Sequence, residues 1–148
     1  MIETERLVIR APRAHERPQI LAQWSDPANE RVPPDADLAQ VRRWAYGVPW
    51  GVWERESGEL VGDCSLHYDT TFGAWELSYG FRRDRWGRGY ASEAAQAVVR
   101  YGFETMRVAR IVADVDPTNP ASSRVLEKCA FVHVRDLEDG RRFYAVTR

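Results

Sequence analysis

The stretch DRWGRGYASEAAQAVVRYGF, Asp84 to Phe103, decides the fold of this 148-residue chain. It opens with two glycines, Gly87 and Gly89, set among arginines, and continues as an amphipathic run without proline. Small apolar residues recur along that run at helical spacing, which is typical of a helix lying close against a sheet. They are Ala91, Ala94, Ala95, Val98 and Gly102, with Val99, Phe103 and Met106 widening the stripe. The stretch therefore predicts a glycine turn followed by a helix from about Tyr90 to Met106.

The segment just before this turn, AWELSYGF (Ala74 to Phe81), alternates between apolar and small or polar residues. Successive side chains of a strand point to opposite faces, so the alternation predicts a strand with one face in the core. The core-facing set is Trp75, Leu77, Tyr79 and Phe81, and the opposite set is Ala74, Glu76, Ser78 and Gly80. We expect the opposite face to be polar, with Glu76 as its lone carboxylate.

The other segments predict an α/β fold with a mixed sheet, in one domain that spans residues 1–148. Strands are expected at Arg6–Ala11, Trp50–Arg55, Leu60–Tyr68 and Arg110–Asp116, and in a closing hairpin that turns at Glu138–Gly140. Short helices are expected at His15–Trp24, Asp37–Trp44 and Ala121–Lys128. The order is strand, two helices, a three-strand meander, helix, strand, helix and hairpin.

Composition and charge exclude several classes of partner. The formal net charge is -1, which predicts neither nucleic acid nor an anionic membrane as a partner. No apolar run approaches the roughly 20 residues that span a bilayer, and the N-terminus has no secretory signal. Two widely separated cysteines, Cys64 and Cys129, predict a reduced cytoplasmic protein. The spacing of histidine, cysteine and acidic residues predicts no metal site.

A strand that runs through a glycine turn into a helix is suited to bind an anion. Glycine lets the backbone approach a ligand closely, and the N–H groups and dipole of the first helical turn favour negative charge. Arginines at positions 82, 83, 85 and 88 surround the turn, and guanidinium groups match phosphate oxygens in pairs. The alternative is an ordinary connection with solvated arginines. Ser92 replaces the third glycine of the dinucleotide fingerprint and a P-loop lysine is lacking, so the expected ligand is not NAD or ATP bound in the usual way.

Two longer motifs, DRWGRGYASEA and VDPTNPASSRVLEKCAF, together with the opening ETERLVIR, resemble the GCN5-related N-acetyltransferases (GNAT). The resemblance is to the ribosomal-protein N-terminal acetyltransferase branch in particular, and it runs from Glu3 to about Val134. It implies a single-domain GNAT fold with a mixed, mostly antiparallel central sheet, splayed at the cofactor site and flanked by helices. It also implies acetyl-CoA as cosubstrate, an amine as acceptor and, by family habit, a homodimer through the C-terminal strands.

The resemblance gives a role to each matching position. Backbone N–H groups of the turn would bind the diphosphate, and arginine side chains would add contacts. The edge of the preceding strand would pair with pantetheine, Asn119 would bind the pantetheine arm, and Ser122 would lie beside the departing thiolate. The diphosphate contacts are expected from Trp86, Gly87, Arg88, Gly89, Tyr90 and Ala91, with the side chains of Arg83, Arg85 and Arg88, and the pantetheine contacts from Ser78, Tyr79, Gly80 and Phe81.

Three positions depart from the family pattern. Asp84 stands where Gln or Arg is usual, and an acid beside a diphosphate is unfavourable unless it faces away. Leu126 stands where many members have a tyrosine that protonates the thiolate, which leaves Ser122 as the substitute. Ala130 replaces a glycine, which implies a backbone conformation that alanine readily adopts.

Acyl transfer to an amine needs a base, because amines are mostly protonated at neutral pH. Glu76 is the best candidate, since it lies mid-strand on the face opposite Trp75 and Leu77, close to the expected pantetheine edge. Glu76 could instead pair with an arginine. His67 is a weaker candidate base, because a lone histidine on a strand is more often structural.

The sequence thus predicts transfer of an acetyl group from acetyl-CoA to a primary amine by direct attack, with Glu76 as base and Ser122 near the thiolate. Two alternatives stay open. One is a CoA-binding regulatory module without catalysis, favoured by Asp84, Leu126 and Ala130; the other is a phosphate-binding interaction domain without CoA. The acceptor, either a protein N-terminus or a small-molecule amine, is left open.

Overall fold

A computed structural model of the chain describes residues 1–24 and 50–148. The helix predicted at Asp37–Trp44 lies outside the described residues. The strands are β1 (Ile2–Glu3), β2 (Leu7–Arg10), β3 (Gly51–Glu54), β4 (Leu60–Asp69), β5 (Ala74–Phe81), β6 (Arg110–Val115), β7 (Val132–Asp136) and β8 (Arg142–Thr147). The helices are α1 (Arg17–Trp24), α2 (Tyr90–Glu104) and α3 (Pro120–Lys128), with 3-10 turns at Ala14–Glu16 and Arg83–Arg85.

The described strands form one sheet of eight strands in the order β1-β2-β3-β4-β5-β6-β8-β7. All neighbours are antiparallel except β5 and β6, which run parallel and pair at Trp75–Ile111 and Glu76–Val112. Beyond these pairs, residues 77–81 of β5 and 113–115 of β6 line a cavity instead of forming a ladder. The predicted α/β class with a mixed, mostly antiparallel sheet that splays at one place is confirmed.

The predicted elements of the described segments are present with small shifts at their ends. β5 has the predicted bounds, because its alternation is unbroken from Ala74 to Phe81. Helix α2 ends at Glu104, two residues before its expected end, and the first helix opens as a 3-10 turn. The two-residue strand β1 was not predicted, since Ile2–Glu3 is too short to show a period.

The main core lies between the sheet and helix α2. The buried residues of α2 other than Tyr90 belong to the stripe predicted from its spacing, and Ala94, Ala95 and Val98 are fully buried. Ala91 and Phe103 of that stripe are partly buried. A Cβ atom at Gly102 would lie 2.6 Å from Cδ1 of Leu66, so glycine is needed for the helix to approach β4 this closely. None of the described helices is long and apolar enough to cross a membrane.

The opposite face of β5 is less polar than we expected. Ala74 belongs to a second apolar cluster, in which it packs with Val112, Phe143 and Ala145. The prediction of a polar face is therefore wrong at Ala74, and it fails because β6 and β8 bring apolar side chains that the β5 sequence does not reveal. Glu76 begins the polar part of this face.

The loop after α3 overturns a second expectation. Ala130 has a φ of 66°, in the left-handed region that favours glycine. Its N–H donates to the Glu127 carbonyl (3.0 Å) and that of Phe131 to the Leu126 carbonyl (3.0 Å), the pair of bonds that closes a helix in a Schellman motif. The hydrogen bonds thus hold alanine in a conformation that it does not readily adopt.

Candidate active site

A cavity of about 600 Å³ opens where β5 and β6 separate. This volume is in the range of small-molecule and cofactor sites. Most of the predicted site residues line it: Glu76, Ser78, Tyr79, Gly80, Phe81, Arg85, Trp86, Gly87, Gly89, Tyr90, Ala91, Asn119 and Ser122. Arg83 and Arg88 are not among its lining residues. The fold therefore brings one strand, the glycine turn and the starts of two helices around a single space.

The glycine turn forms the end of the cavity at the start of α2. Gly87 and Gly89 have φ values of 77° and 80°, both left-handed, so the turn depends on glycine at two positions. A Cβ atom at Gly87 would meet nothing within 4 Å, and no side chain caps α2 at Gly89. The first turn of α2 therefore presents its N–H groups and the positive end of the helix dipole, which suits a diphosphate.

A buried carboxylate behind the turn fixes its position. Glu54 of β3 accepts a hydrogen bond from the Tyr90 hydroxyl (2.5 Å) and one from Nε of Arg85 (3.3 Å). Its other oxygen accepts from the Ser57 hydroxyl (2.7 Å). The bond from Tyr90, followed by that from Ser57, lowers the pKa of Glu54, so it is a carboxylate at neutral pH. The sequence analysis did not identify Glu54, which follows an apolar strand just before a turn.

The guanidinium group of Arg85 forms ion pairs with three carboxylates. Besides Glu54, its Nη2 lies 2.6 Å from Glu59 and its Nη1 lies 2.9 Å from Asp84. Arg85 thus ties the turn to the β3–β4 hairpin, and its side-chain charge is already balanced. Asp84 and Arg83 line a separate groove, so the acid that departs from the family pattern is turned away from the cavity.

The acidic residue of the YASEA motif joins α2 to the N-terminal strands. Glu93 accepts hydrogen bonds from the Thr4 hydroxyl (2.6 Å), the Arg6 backbone (2.9 Å) and Nε of Arg6 (2.7 Å). Nη1 of Arg6 also donates to the backbone carbonyl of Arg88 (2.9 Å), which holds the turn from a second side. The side chain of Arg88 is half-exposed at the surface.

The start of α3 closes the middle of the cavity. Asn119 is the N-cap of α3, and its side-chain oxygen accepts from the Ser122 backbone N–H (3.2 Å). The Tyr79 hydroxyl donates to the Ser122 carbonyl (3.2 Å), which links β5 to α3. Leu126 is fully buried and also lines the cavity, so an acid is absent at the place where many family members have tyrosine.

Glu76 lies at the other end of the cavity, among polar groups from β4, β6 and the turn before β8. Its Oε2 atom is 3.2 Å from Nε2 of His67, which is its direct partner on β4. Asp114 of β6 lines the same space, and its Oδ2 atom accepts from Nε of Arg141 (2.8 Å). Burial raises the pKa of the Glu76 carboxyl to about 7; His67 opposes this rise and Asp114 adds to it.

The sequence analysis missed Asp114 and Arg141. A signal for Asp114 was present, since it is a lone acid within the apolar strand segment IVADV, as Glu76 is within β5. Arg141 carried no such signal, because it follows a turn among other charged residues. Only the pairing of β6 with β5 brings Asp114 to the Glu76 side of the sheet, and Arg141, just before β8, pairs with Asp114.

Donor atoms of His67, Asp69 and Glu76 lie within 4.8 Å of one another. Hydrogen bonds already occupy this group: His67 contacts Glu76, and Oδ1 of Asp69 accepts from the Phe72 backbone N–H (3.0 Å). The absence of a metal stays a prediction.

Comparison with known proteins agrees with the fold. The family model described as an acetyltransferase (GNAT) domain matches residues 6–132. The uncharacterized N-acetyltransferase p20 of Bacillus licheniformis is 30% identical over 142 residues, which cover 86% of this chain and 80% of that protein. A GNAT-family acetyltransferase from Bacillus anthracis superposes with a TM-score of 0.81 at 26% identity and covers 99% of this chain and 97% of its own. Spermidine N-acetyltransferase from Vibrio cholerae, solved with CoA and spermine, has a TM-score of 0.81 at 15% identity, covering 97% and 96%.

The chain belongs to the GNAT acetyltransferase family, because the family model spans well over half of it. It is an acetyl-CoA-dependent N-acetyltransferase, and the predicted family, fold and enzyme class are confirmed. The ribosomal-protein branch stays a prediction.

Proposed function

We propose that this enzyme transfers an acetyl group from acetyl-CoA to a primary amine by direct attack, with Glu76 as the general base and Ser122 beside the departing thiolate. One observation carries the proposal. Glu76, a mostly buried carboxyl with a pKa raised to about 7, lies in the same cavity as the glycine turn. A base titrating near the working pH is the most effective one for proton transfer at that pH.

The chain's residues fit the cosubstrate along the cavity. The backbone of Trp86–Ala91 would hold the diphosphate at the start of α2, and the edge of Ser78–Phe81 would hold pantetheine where β5 leaves β6. Asn119 would contact the pantetheine arm from the N-terminus of α3. The exposed arginines 83 and 88 would contact phosphate only from outside the cavity, while Arg85 acts through its carboxylate partners. Acetyl-CoA, when bound, supplies the thioester carbonyl that the amine attacks.

Glu76 begins the reaction by taking a proton from the ammonium form of the acceptor. An N–H bond breaks, an O–H bond forms on the Glu76 carboxylate, and the electron pair left on nitrogen forms the new C–N bond as the C–S bond breaks. The second proton lost from nitrogen goes to the thiolate, beside which the Ser122 hydroxyl can donate a hydrogen bond. Glu76 then returns its proton to solvent. The positive end of the α3 dipole favours the thiolate in this position.

The acceptor in this proposal is a primary amine that enters from the Glu76 end. Asp69 and Asp114 add negative charge around Glu76, which favours an acceptor with a positive charge. The fold neighbour from Vibrio cholerae acts on spermidine, so polyamines are the first small amines to test. Peptides with free N-termini are the second class, as the resemblance to the ribosomal-protein branch implies.

A second copy of the chain could bind at the C-terminal edge of the sheet. All five residues of β7 are exposed, including Val132 (64%) and Val134 (49%). Exposed apolar residues on an edge strand favour pairing with another chain. Size-exclusion chromatography with light scattering tests this, and a monomer at high micromolar concentration would rule out a stable homodimer.

The experiment that tests the function measures thiol release from acetyl-CoA with a panel of polyamines and peptides. We expect release that depends on the amine, and a loss of kcat of about 100-fold or more in Glu76→Gln with binding of acetyl-CoA retained. Glu56→Gln, a matched change in the exposed β3–β4 turn, is the control. Binding without release for any amine would instead support a regulatory module, and an unchanged kcat in Glu76→Gln would remove Glu76 as the base.

A further inference from the structure

Asp114 is held next to Glu76 by the one parallel pair of strands in the described sheet. Glu76 pairs with Val112 across β5 and β6, and Asp114 follows two residues later, so it lies on the same face of the sheet. Both carboxyl groups line the cavity, and the Asp114 side chain is mostly buried (21% exposed). Two carboxyl groups therefore lie close together in a site that is mostly shielded from solvent.

Arg141 fixes the Asp114 carboxylate in place. Nε of Arg141 donates to Oδ2 of Asp114 (2.8 Å), and Nη2 reaches its backbone carbonyl (3.4 Å). The backbone of Arg141 is itself held, because its N–H donates to Asp139 (3.0 Å) and its carbonyl accepts from Leu137 (2.8 Å). Asp114 thus has a cation bound to its carboxylate.

The charged and titratable groups that face Glu76 come from two neighbouring strands. On β4 they are His67, 3.2 Å away, and Asp69. On β6 the group is Asp114, whose charge acts on Glu76, and Arg141 is paired with Asp114. Two adjacent carboxyl groups do not ionise independently, and the proton stays on the one with the weaker cationic partner. Asp114 has a guanidinium group at 2.8 Å, whereas Glu76 has only the His67 ring at 3.2 Å, so the proton stays on Glu76.

We propose that Asp114, clamped by Arg141, is a positioning residue that makes Glu76 the proton acceptor of the pair and sets the pH at which it works. The inference rests on the proposed role of Glu76 as base. Asp114 does not touch the acceptor nitrogen in this scheme; it acts through Glu76. Glu76 and Asp114 are both carboxyl groups, and their different surroundings give them different roles, as in other pairs of carboxyl groups in active sites.

The first test compares the pH dependence of kcat at saturating amine in the wild type, Asp114→Asn and Arg141→Gln. Loss of the Asp114 charge should move the acidic limb down by roughly one pH unit. Loss of the Arg141 cation should move it up, because the carboxylate then acts on Glu76 uncompensated. Asp136→Asn, which removes an exposed acid of β7 outside the cavity, is the control and should leave the limb in place. If Asp114 and Arg141 had only a structural role, both variants would lower kcat without moving the acidic limb in opposite directions.

The second test follows the titration of Glu76 itself by ¹³C NMR of its carboxyl carbon, assigned from its loss in Glu76→Gln. We expect the midpoint to fall in Asp114→Asn and to rise in Arg141→Gln. Circular dichroism checks that each variant folds, and if Asp114→Asn does not fold, Arg141→Gln alone decides. Midpoints that match the wild type overturn the inference. Shifted midpoints without a shift in kcat would uphold the coupling of the two carboxyl groups but remove Glu76 as the base.

Discussion

The two ends of the cavity are built in different ways. The glycine-turn end comes from one continuous stretch of about twenty residues, and its geometry depends on two glycines and the start of one helix. The Glu76 end is assembled from β4, β5, β6 and the turn before β8, whose residues lie far apart in the chain. In the proposed scheme the first end binds acetyl-CoA through backbone groups that do not titrate, whereas the second depends on carboxyl groups that do. Substitutions and pH should therefore affect the two ends separately.

The largest expected effect is that of pH on the Glu76 end. A carboxyl with a pKa of about 7 is ionised above that pH and protonated below it, so the base is lost as the pH falls. We expect kcat at saturating amine to drop by about tenfold per pH unit below 7, and the acidic limb to be absent in Glu76→Gln. The dissociation constant of acetyl-CoA, measured by calorimetry over the same range, should change far less. If kcat and the dissociation constant of acetyl-CoA changed equally with pH, the two ends of the cavity would not respond separately.

The next effect concerns the glycine-turn end. Gly87→Ala places a side chain in a left-handed conformation, which costs about 1–2 kcal/mol, and crowds the expected diphosphate. Gly140→Ala is the matched control, since Gly140 has a φ of 87° in the turn between β7 and β8 and also has open space around it. We expect similar losses of stability in thermal melts, but weaker acetyl-CoA binding, by about tenfold or more, only in Gly87→Ala. Equal binding by both variants would remove the turn as the diphosphate site.

A smaller effect on acetyl-CoA binding should follow from removing the hydrogen bond between Tyr90 and Glu54, which holds the glycine turn in position. Tyr90→Phe removes the hydrogen bond to Glu54, while the ring keeps its packing. We expect acetyl-CoA to bind roughly threefold to tenfold more weakly, because a hydrogen bond to a charged group is worth about 1.5–3 kcal/mol and only part of it is felt by the ligand. Tyr68→Phe, a change at a half-exposed tyrosine, is the control. We expect kcat of Tyr90→Phe to stay close to that of the wild type. If kcat fell by as large a factor as KM for acetyl-CoA rose, the two ends of the cavity would be coupled.

The smallest effect is at Ala130, outside both ends. Ala130→Gly relieves a left-handed alanine and should stabilise the protein by about 1 kcal/mol, with unchanged kcat and KM. Ala97→Gly, in the interior of α2, should instead destabilise it by about 1 kcal/mol. Chemical denaturation measures both changes. A loss of stability in Ala130→Gly would show that its methyl group contributes more than the backbone strain costs.

Much of the fold and the glycine-turn half of the cavity could be predicted from the sequence. Strand alternation, helical spacing and the glycine turn are local properties, so β5, α2 and the residues from Trp86 to Ala91 could be placed without knowing their neighbours. The same reasoning placed Glu76 on the correct strand and chose it as the base. It failed at Ala74, where neighbouring strands supply an apolar cluster, and at Ala130, where hydrogen bonds impose the backbone conformation.

The sequence by itself determined the elements, the glycine turn and the presence of an acid at position 76. Only the tertiary structure decided what surrounds that acid. Strand register and one parallel strand pair bring His67 and Asp114 to Glu76, and Arg141 pairs with Asp114. The buried Glu54 pairs with Arg85 at the glycine-turn end. A side chain's charge and hydrogen bonds depend on which atoms are within a few ångströms in space, and that proximity is not encoded in any single stretch of the chain.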